Sequence, residues 1–152
     1  MGAGTYPQVK VIDFIEKNFI PVQVQTSNTV LTDKYVVRWT PTLLVVDADG
    51  KEHYRAVGFF TPDDLVATFM TAKGRWYMDT EQYTEARGMF DEVVAAHPGS
   101  DAAAEAIFFN GVTRYKESHD PRHLREASDI LSEKYPNSMW NRQAAHYKLI
   151  NK

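Results

Sequence analysis

The chain has 152 residues, enough for one ordinary domain or two small ones, and its 43% hydrophobic content, with 8 Tyr, 8 Phe and 3 Trp, suits a packed interior and not a disordered chain. The net charge of −3 comes from 17 basic and 20 acidic residues mixed along the sequence; no basic run is present to follow a phosphate backbone, which argues against a nucleic-acid partner. The absence of cysteine removes disulfides, thiolate metal ligands and cysteine nucleophiles together. Apolar runs such as Leu43-Leu44-Val45-Val46 fall far short of the roughly 20 residues that span a bilayer. The first residues lack a cationic region followed by an apolar run, so a cytoplasmic location is the default expectation, with the periplasm open if a leader has been removed.

Along the chain, Pro7 followed by Val9, Val11, Ile12, Phe14 and Ile15 predicts an amphipathic helix to about Asn18. Ile20-Pro21-Val22-Gln23-Val24-Gln25 alternates apolar and polar residues and predicts a strand, with Pro21 near its start where a missing amide is tolerated. Ser27 or Asn28 then caps a short helix through Val30, Leu31 and Tyr35. Thr42-Leu43-Leu44-Val45-Val46 is nearly continuous in apolar character and suits a buried central strand. Asp47-Ala48-Asp49-Gly50 separates it from Glu52-His53-Tyr54-Arg55-Ala56-Val57, and the Asp-Gly pair signals a hairpin joining antiparallel neighbours. Thr61-Pro62-Asp63-Asp64 supplies a cap, a proline at the first helical position and first-turn carboxylates for a helix that buries Leu65, Val66, Phe69 and Met70.

From about residue 67 the pattern is wholly helical. Gly74, Tyr77, Ala86, Phe90, Val93 and Pro98 alternate small and aromatic residues at the positions where two antiparallel helices approach closely. A looser unit follows. Ala103, Ile107, Phe108, Gly111, Val112 and Tyr115 form one helical face, Asp120-Pro121 restarts the chain, and Leu124, Ala127, Ile130 and Leu131 form the next. His97-Pro98-Gly99-Ser100 recurs as Tyr135-Pro136-Asn137-Ser138, ending both helix pairs with the same aromatic-Pro-turn-cap logic, and Trp140, Ala144 and Tyr147 suggest a closing helix.

Two clusters invite a metal and are better explained without one. The Asp47 and Asp49 pair would place the obligatory glycine of a calcium loop at Glu52, and the hairpin accounts for both aspartates. His119 and His123 are four apart, but Asp120-Pro121 between them reads as a cap and a helix start. No Gly-x-Ser-x-Gly, phosphate loop or paired catalytic carboxylates occur, so no catalytic residue, metal or cofactor is expected.

The order of elements in the first half, with Val37-Arg38-Trp39-Thr40-Pro41-Thr42-Leu43-Leu44-Val45-Val46-Asp47, Asp49-Gly50-Lys51-Glu52 and Val57-Gly58-Phe59, resembles the distal part of the thioredoxin fold around its cis-proline and final hairpin. Asn18-Phe19-Ile20-Pro21-Val22-Gln23-Val24 is similar to the preceding strand in bacterial thioredoxin-like proteins. The resemblance implies a cis Thr40-Pro41 bond beside a peptide-binding backbone. It also implies a missing Cys-x-x-Cys helix and a missing strand between residues 20–25 and 42–46. That gap would be closed by direct pairing of the flanking strands, filled by a second chain, or occupied by a redox half lying upstream. The second half resembles tetratricopeptide repeats, including those of bacterial envelope assembly proteins, whose segments end in similar Tyr-Pro-x-Ser turns.

The expected fold is therefore an incomplete α/β thioredoxin-like domain with an about three-stranded sheet over residues 1–72, followed by all-α tetratricopeptide-like hairpins over residues 73–152 that share a helix with it across residues 63–79. The expected function is a redox-inactive adaptor for a protein or peptide, with homodimerisation through the open sheet edge. The alternatives are a distal fragment of a thioredoxin-family oxidoreductase and a structural subunit assembling through that edge. Candidate peptide-binding residues are Trp39, Thr40, Pro41, Phe59 and Phe60, set against the plainer expectation that Trp39 packs in the core and the Phe pair closes the last helix. On the helical side, Tyr77, Phe109 and Arg114 are the candidates for a small concave face.

Overall fold

The computed structural model describes residues 1–151. The chain divides into two compact units, Met1–Val66 and Ala67–Lys152, with the division inside a continuous helix, α3 (Pro62–Asp79). Among the described residues, no helix is long and apolar enough to cross a membrane.

The first unit holds α1 (Val9–Asn18), α2 (Thr29–Lys34), β1 (Thr42–Val46) and β2 (Glu52–Val57). Asn28 caps α2, its side-chain oxygen accepting from the Leu31 amide at 3.2 Å. The helix ends with the Val37 amide donating to the Thr32 carbonyl and the Val36 amide to the Asp33 carbonyl, the paired closure that normally places glycine in the left-handed region. Val36 occupies that position with φ of +50°, a strained conformation for a β-branched residue. At the start of α3, the Asp64 amide donates to Thr61 Oγ1, whose hydroxyl donates to the Asp64 carboxylate at 2.7 Å, so one side chain stops the loop and starts the helix.

β1 and β2 pair antiparallel, Leu44 opposite Arg55 and Val45 opposite Tyr54. The register then slips, with Val46 opposite Glu52, leaving His53 as the extra residue of a bulge. That bulge aims His53 inward, its side chain only 4% exposed, with Nε2 2.8 Å from Asp47 Oδ2. Asp47 Oδ1 also accepts the Asp49 and Lys51 amides at 3.0 and 2.9 Å, and Gly50, at φ of +78°, closes the turn. The His53 hydrogen bond, then the Lys51 amide, hold the Asp47 carboxyl below the usual carboxylate range. One aspartate thus organises the whole hairpin tip.

The sheet contains β1 and β2 and no third strand among the described residues, which corrects the expectation of about three strands. Residues 20–25 are irregular, with Ile20 and Val22 92% and 79% exposed. Their alternating pattern marks a segment fit for a sheet, but no backbone partner among the described residues reaches residues 20–24, and a strand exists only where a ladder forms. Direct closure of the gap by the flanking segments therefore does not occur. For the same reason β1 is half-buried where a buried central strand was expected: it has a neighbour on one side alone.

The second unit comprises most of α3 and then α4 (Tyr83–Ala96), α5 (Asp101–Ser118), α6 (Arg122–Lys134), α7 (Met139–Gln143) and a terminal 3-10 helix, Ala144–Leu149. Side-chain pairs run antiparallel between α4 and α5, Asp91 to Asn110 and Arg87 to Glu117, and between α5 and α6, Arg114 to Glu126. Small residues set these approaches. A Cβ on Gly74 would stand 2.6 Å from the Phe90 ring, and one on Gly111 would stand 2.5 Å from Ala127 Cβ and 3.1 Å from the His123 carbonyl oxygen. Ala102, Ala103, Ala104 and Ala106 are buried along α5. One core cluster joins Ala104, Ile107, Ala127, Leu131 and Ala144, with Phe108, Tyr135, Trp140 and Tyr147 packed around it.

The repeated turns are alike in detail. His97 ends α4 at φ −130° and ψ 50°, and Tyr135 ends α6 at φ −132° and ψ 51°. Ser100 and Ser138 then cap α5 and α7 by accepting the amides of Ala103 and Asn141. The Tyr135 hydroxyl donates to the Pro98 carbonyl at 2.7 Å, so the second turn is fastened to the first.

Candidate functional site

The hairpin brings two of the sequence-predicted aromatics to one end of the sheet. Thr42 lies opposite Val57, and just beyond them the Gly58 amide donates to the Pro41 carbonyl at 2.9 Å. Trp39, two residues before Pro41, and Phe59, one after Gly58, therefore leave the ladder at the same end. Trp39 is 70% exposed and Phe59 67% exposed, which corrects the plainer expectation for the tryptophan and for the first phenylalanine of the pair. The β1 and β2 pair ends before either ring, so there is no layer for them to enter.

The backbone of this loop is held even though its rings are free. The Trp39 carbonyl accepts from Thr42 Oγ1 at 2.6 Å, and the Thr40–Pro41 peptide bond is cis. Thr40 is exposed and Pro41 half-buried. Phe60 is half-buried, and its carbonyl accepts from Thr5 Oγ1 at 2.6 Å; Thr5 itself is fully buried. Thr26, Thr32, Val37 and Arg38 join Trp39 and Thr40 around a shallow, open hollow. These four were not singled out from the sequence, because Thr26 and Thr32 come from the turn before α2 and from α2 itself, and nothing in their spacing points at the Trp39 loop. Arg38 was the readable signal, a cation beside an exposed aromatic. The hollow offers a cation, threonine hydroxyls and an aromatic face.

The helical candidates are not gathered into one patch by their contacts. Tyr77 packs beside Trp76, ring centres 5.0 Å apart, with Lys73 Nζ 5.7 Å from its own ring centre. Phe109 is engaged by Phe90, Phe108 and Trp140, and the Arg75 guanidinium lies 4.4 Å from its ring centre while also bonding Glu105 at 3.1 Å. Arg114 pairs with Glu126 at 2.8 Å and borders a second open hollow with Thr84, Arg87, Gly88, Asp91 and Asn110.

The clusters set aside as metal ligands have other partners. Asp120 accepts two bonds from the Arg122 guanidinium's Nε and a third from its Nη2, plus one from its amide, and these hold its carboxyl down to about 2. His123 Nδ1 lies 3.3 Å from Glu126, and His119 ends α5 in the left-handed region at φ of +58°.

An exposed tryptophan thus stands close to a cis-proline at the open sheet end of a small α/β unit. Residues 5–73 match the family described as a thioredoxin-like domain, so the first half of the chain carries a thioredoxin-like domain with a two-stranded sheet, followed by a helical region. No curated protein and no solved structure matches the chain.

Proposed function

We propose that this protein is a redox-inactive adaptor that holds another protein, using the Trp39, Thr40, Pro41, Phe59 and Phe60 end of its thioredoxin-like domain as the contact. The observation that carries the proposal is the outward placement of Trp39 and Phe59 at one end of the hairpin in a chain without cysteine. Large aromatics left in water beside a fixed backbone are the usual anchors of protein contacts. The helical unit is proposed to be tetratricopeptide-like. The close approaches at Gly74 and Gly111 and the twin turns at His97 and Tyr135 support that reading, and Tyr77, Phe109 and Arg114 mark its candidate contact face.

The test is affinity capture with the wild type, Trp39→Ala, Phe59→Ala and Arg114→Ala, followed by direct titration of each recovered protein. Trp39→Ala and Phe59→Ala are expected to weaken a specific partner by tenfold or more, the effect of losing one buried anchor. A partner bound equally well by all four proteins sinks the adaptor reading. A second reading, that the chain is the distal part of a thiol–disulfide oxidoreductase, is favoured by the match to residues 5–73 combined with the unpaired segment 20–25. A coding sequence with Cys-x-x-Cys immediately upstream decides for it.

A further inference from the structure

We propose that two copies of this chain assemble by reciprocal strand exchange, residues 20–25 of each copy pairing with the free edge of β1 of the other. Two observations meet here, and both lie in the first unit. β1 is bonded to β2 on one side and presents its other row of amides and carbonyls to no strand among the described residues. Such an edge is a template for another strand unless something blunts it. Thr42–Val46 carries no charged residue and no proline, and the one bulge lies across the ladder at His53, on β2.

Residues 20–25 are the complement. Ile20, Val22 and Val24 alternate with Pro21, Gln23 and Gln25, so one face is apolar and the other polar when the segment is extended. All three apolar side chains are exposed, and no backbone hydrogen bond among the described residues satisfies residues 20–24. Pro21 lacks a donor but stands near the start, where the loss is tolerated.

A second copy is the occupant these features select. Neither segment carries a charge, so neither discriminates for a partner of opposite sign. A foreign strand added to β1 would leave Ile20 and Val22 of this chain in water. A twofold exchange satisfies the strand and the edge of both copies at once, which is the self-complementarity that cyclic dimers require. The assembly does not depend on the adaptor reading, since it uses neither Trp39 nor Phe59.

Light scattering of the full chain across a hundredfold concentration range is the first measurement. Twice 17.4 kDa is expected for the wild type at the upper end, and a single-chain mass for Val22→Pro and Val24→Lys with unchanged helical circular dichroism. Because the chain has no cysteine, pairing is read directly by oxidising mixtures of single-cysteine variants, Val22→Cys or Val24→Cys against Leu43→Cys, Leu44→Cys or Val45→Cys. Exchange gives mixed cross-links between the two sets. A wild type that stays monomeric overturns the proposal. So does a dimer that survives Val22→Pro, or one in which β1 variants cross-link only to themselves.

Discussion

At the scale of single residues, the carboxylates that fix this chain do so by ending and starting elements. Asp120 follows the left-handed His119 that closes α5, and it holds the Arg122 amide and guanidinium as α6 begins. Its carboxyl is depressed from the ordinary 3.8 to about 2, with the Arg122 side-chain bonds the largest cause. A depressed carboxylate contributes stability that is fully present above its unfolded value and is lost as pH falls through the folded one. Asp120→Asn keeps an oxygen for the Arg122 amide and loses the charge. The stability difference between wild type and Asp120→Asn is therefore expected to be constant above about pH 5 and to shrink as pH falls from 3.8 through about 2. Urea midpoints by circular dichroism at a series of pH values measure it. Asp120 is half-buried but its partner Arg122 is open to solvent, so the difference also narrows in high salt. A difference that grows on acidification contradicts this account of α6.

At the scale of elements, two glycines set how near the helices come. Gly111 packs against Ala127, and the atoms a Cβ would meet are another Cβ and a main-chain oxygen, neither of which swings aside. Gly111→Ala is expected to cost about 1–3 kcal/mol in overpacking, against a gain of up to about 1 kcal/mol in helix propensity. Ala127→Gly alone weakens α6 and removes the nearer of the two obstructions, so the double variant is expected to be more stable than the sum of the two single changes predicts. Chemical denaturation of all four proteins closes this cycle, and strict additivity refutes close contact at Gly111. This part of the fold was legible in the sequence because local signals decide it: small residues at fixed spacings, and Pro-turn-Ser caps that recur as Ser100 and Ser138. The Asp-Gly hairpin and the Thr61 cap were legible for the same reason. The third strand was misread because alternation at residues 20–25 reports only that a segment suits a sheet, whereas pairing is a long-range event that the pattern does not encode. For Trp39 the sequence leaves two readings, a peptide-contacting aromatic and a core residue, because composition alone does not say where the ladder ends. Its exposure follows from where the ladder stops.

At the scale of the whole molecule, the two units differ in how much core supports them. Among the described residues, Val11 and Leu65 are the fully buried apolar side chains of the first unit, while those from Ala67 to Ala144 all belong to the second. A two-stranded sheet is marginal by itself, and here much of the apolar surface of the same unit, at Ile20, Val22, Val30, Trp39 and Phe59, stands in water. Cooperative opening should follow the core. Native-state hydrogen exchange is expected to show the amides of β1 and β2 opening with a free energy smaller by several kcal/mol than those of α4 and α5, where Phe90, Val93, Ala103 and Ala104 lie within the packed interior. Strand exchange between copies adds a second signature. Dilution lowers protection in β1 and leaves that of α5 unchanged, because only the sheet edge gains partners from assembly. If β1 is protected as well as α5 at every concentration, the sheet has support that its buried residues do not supply, and the exposed segment at residues 20–25 is then not the missing partner of its edge.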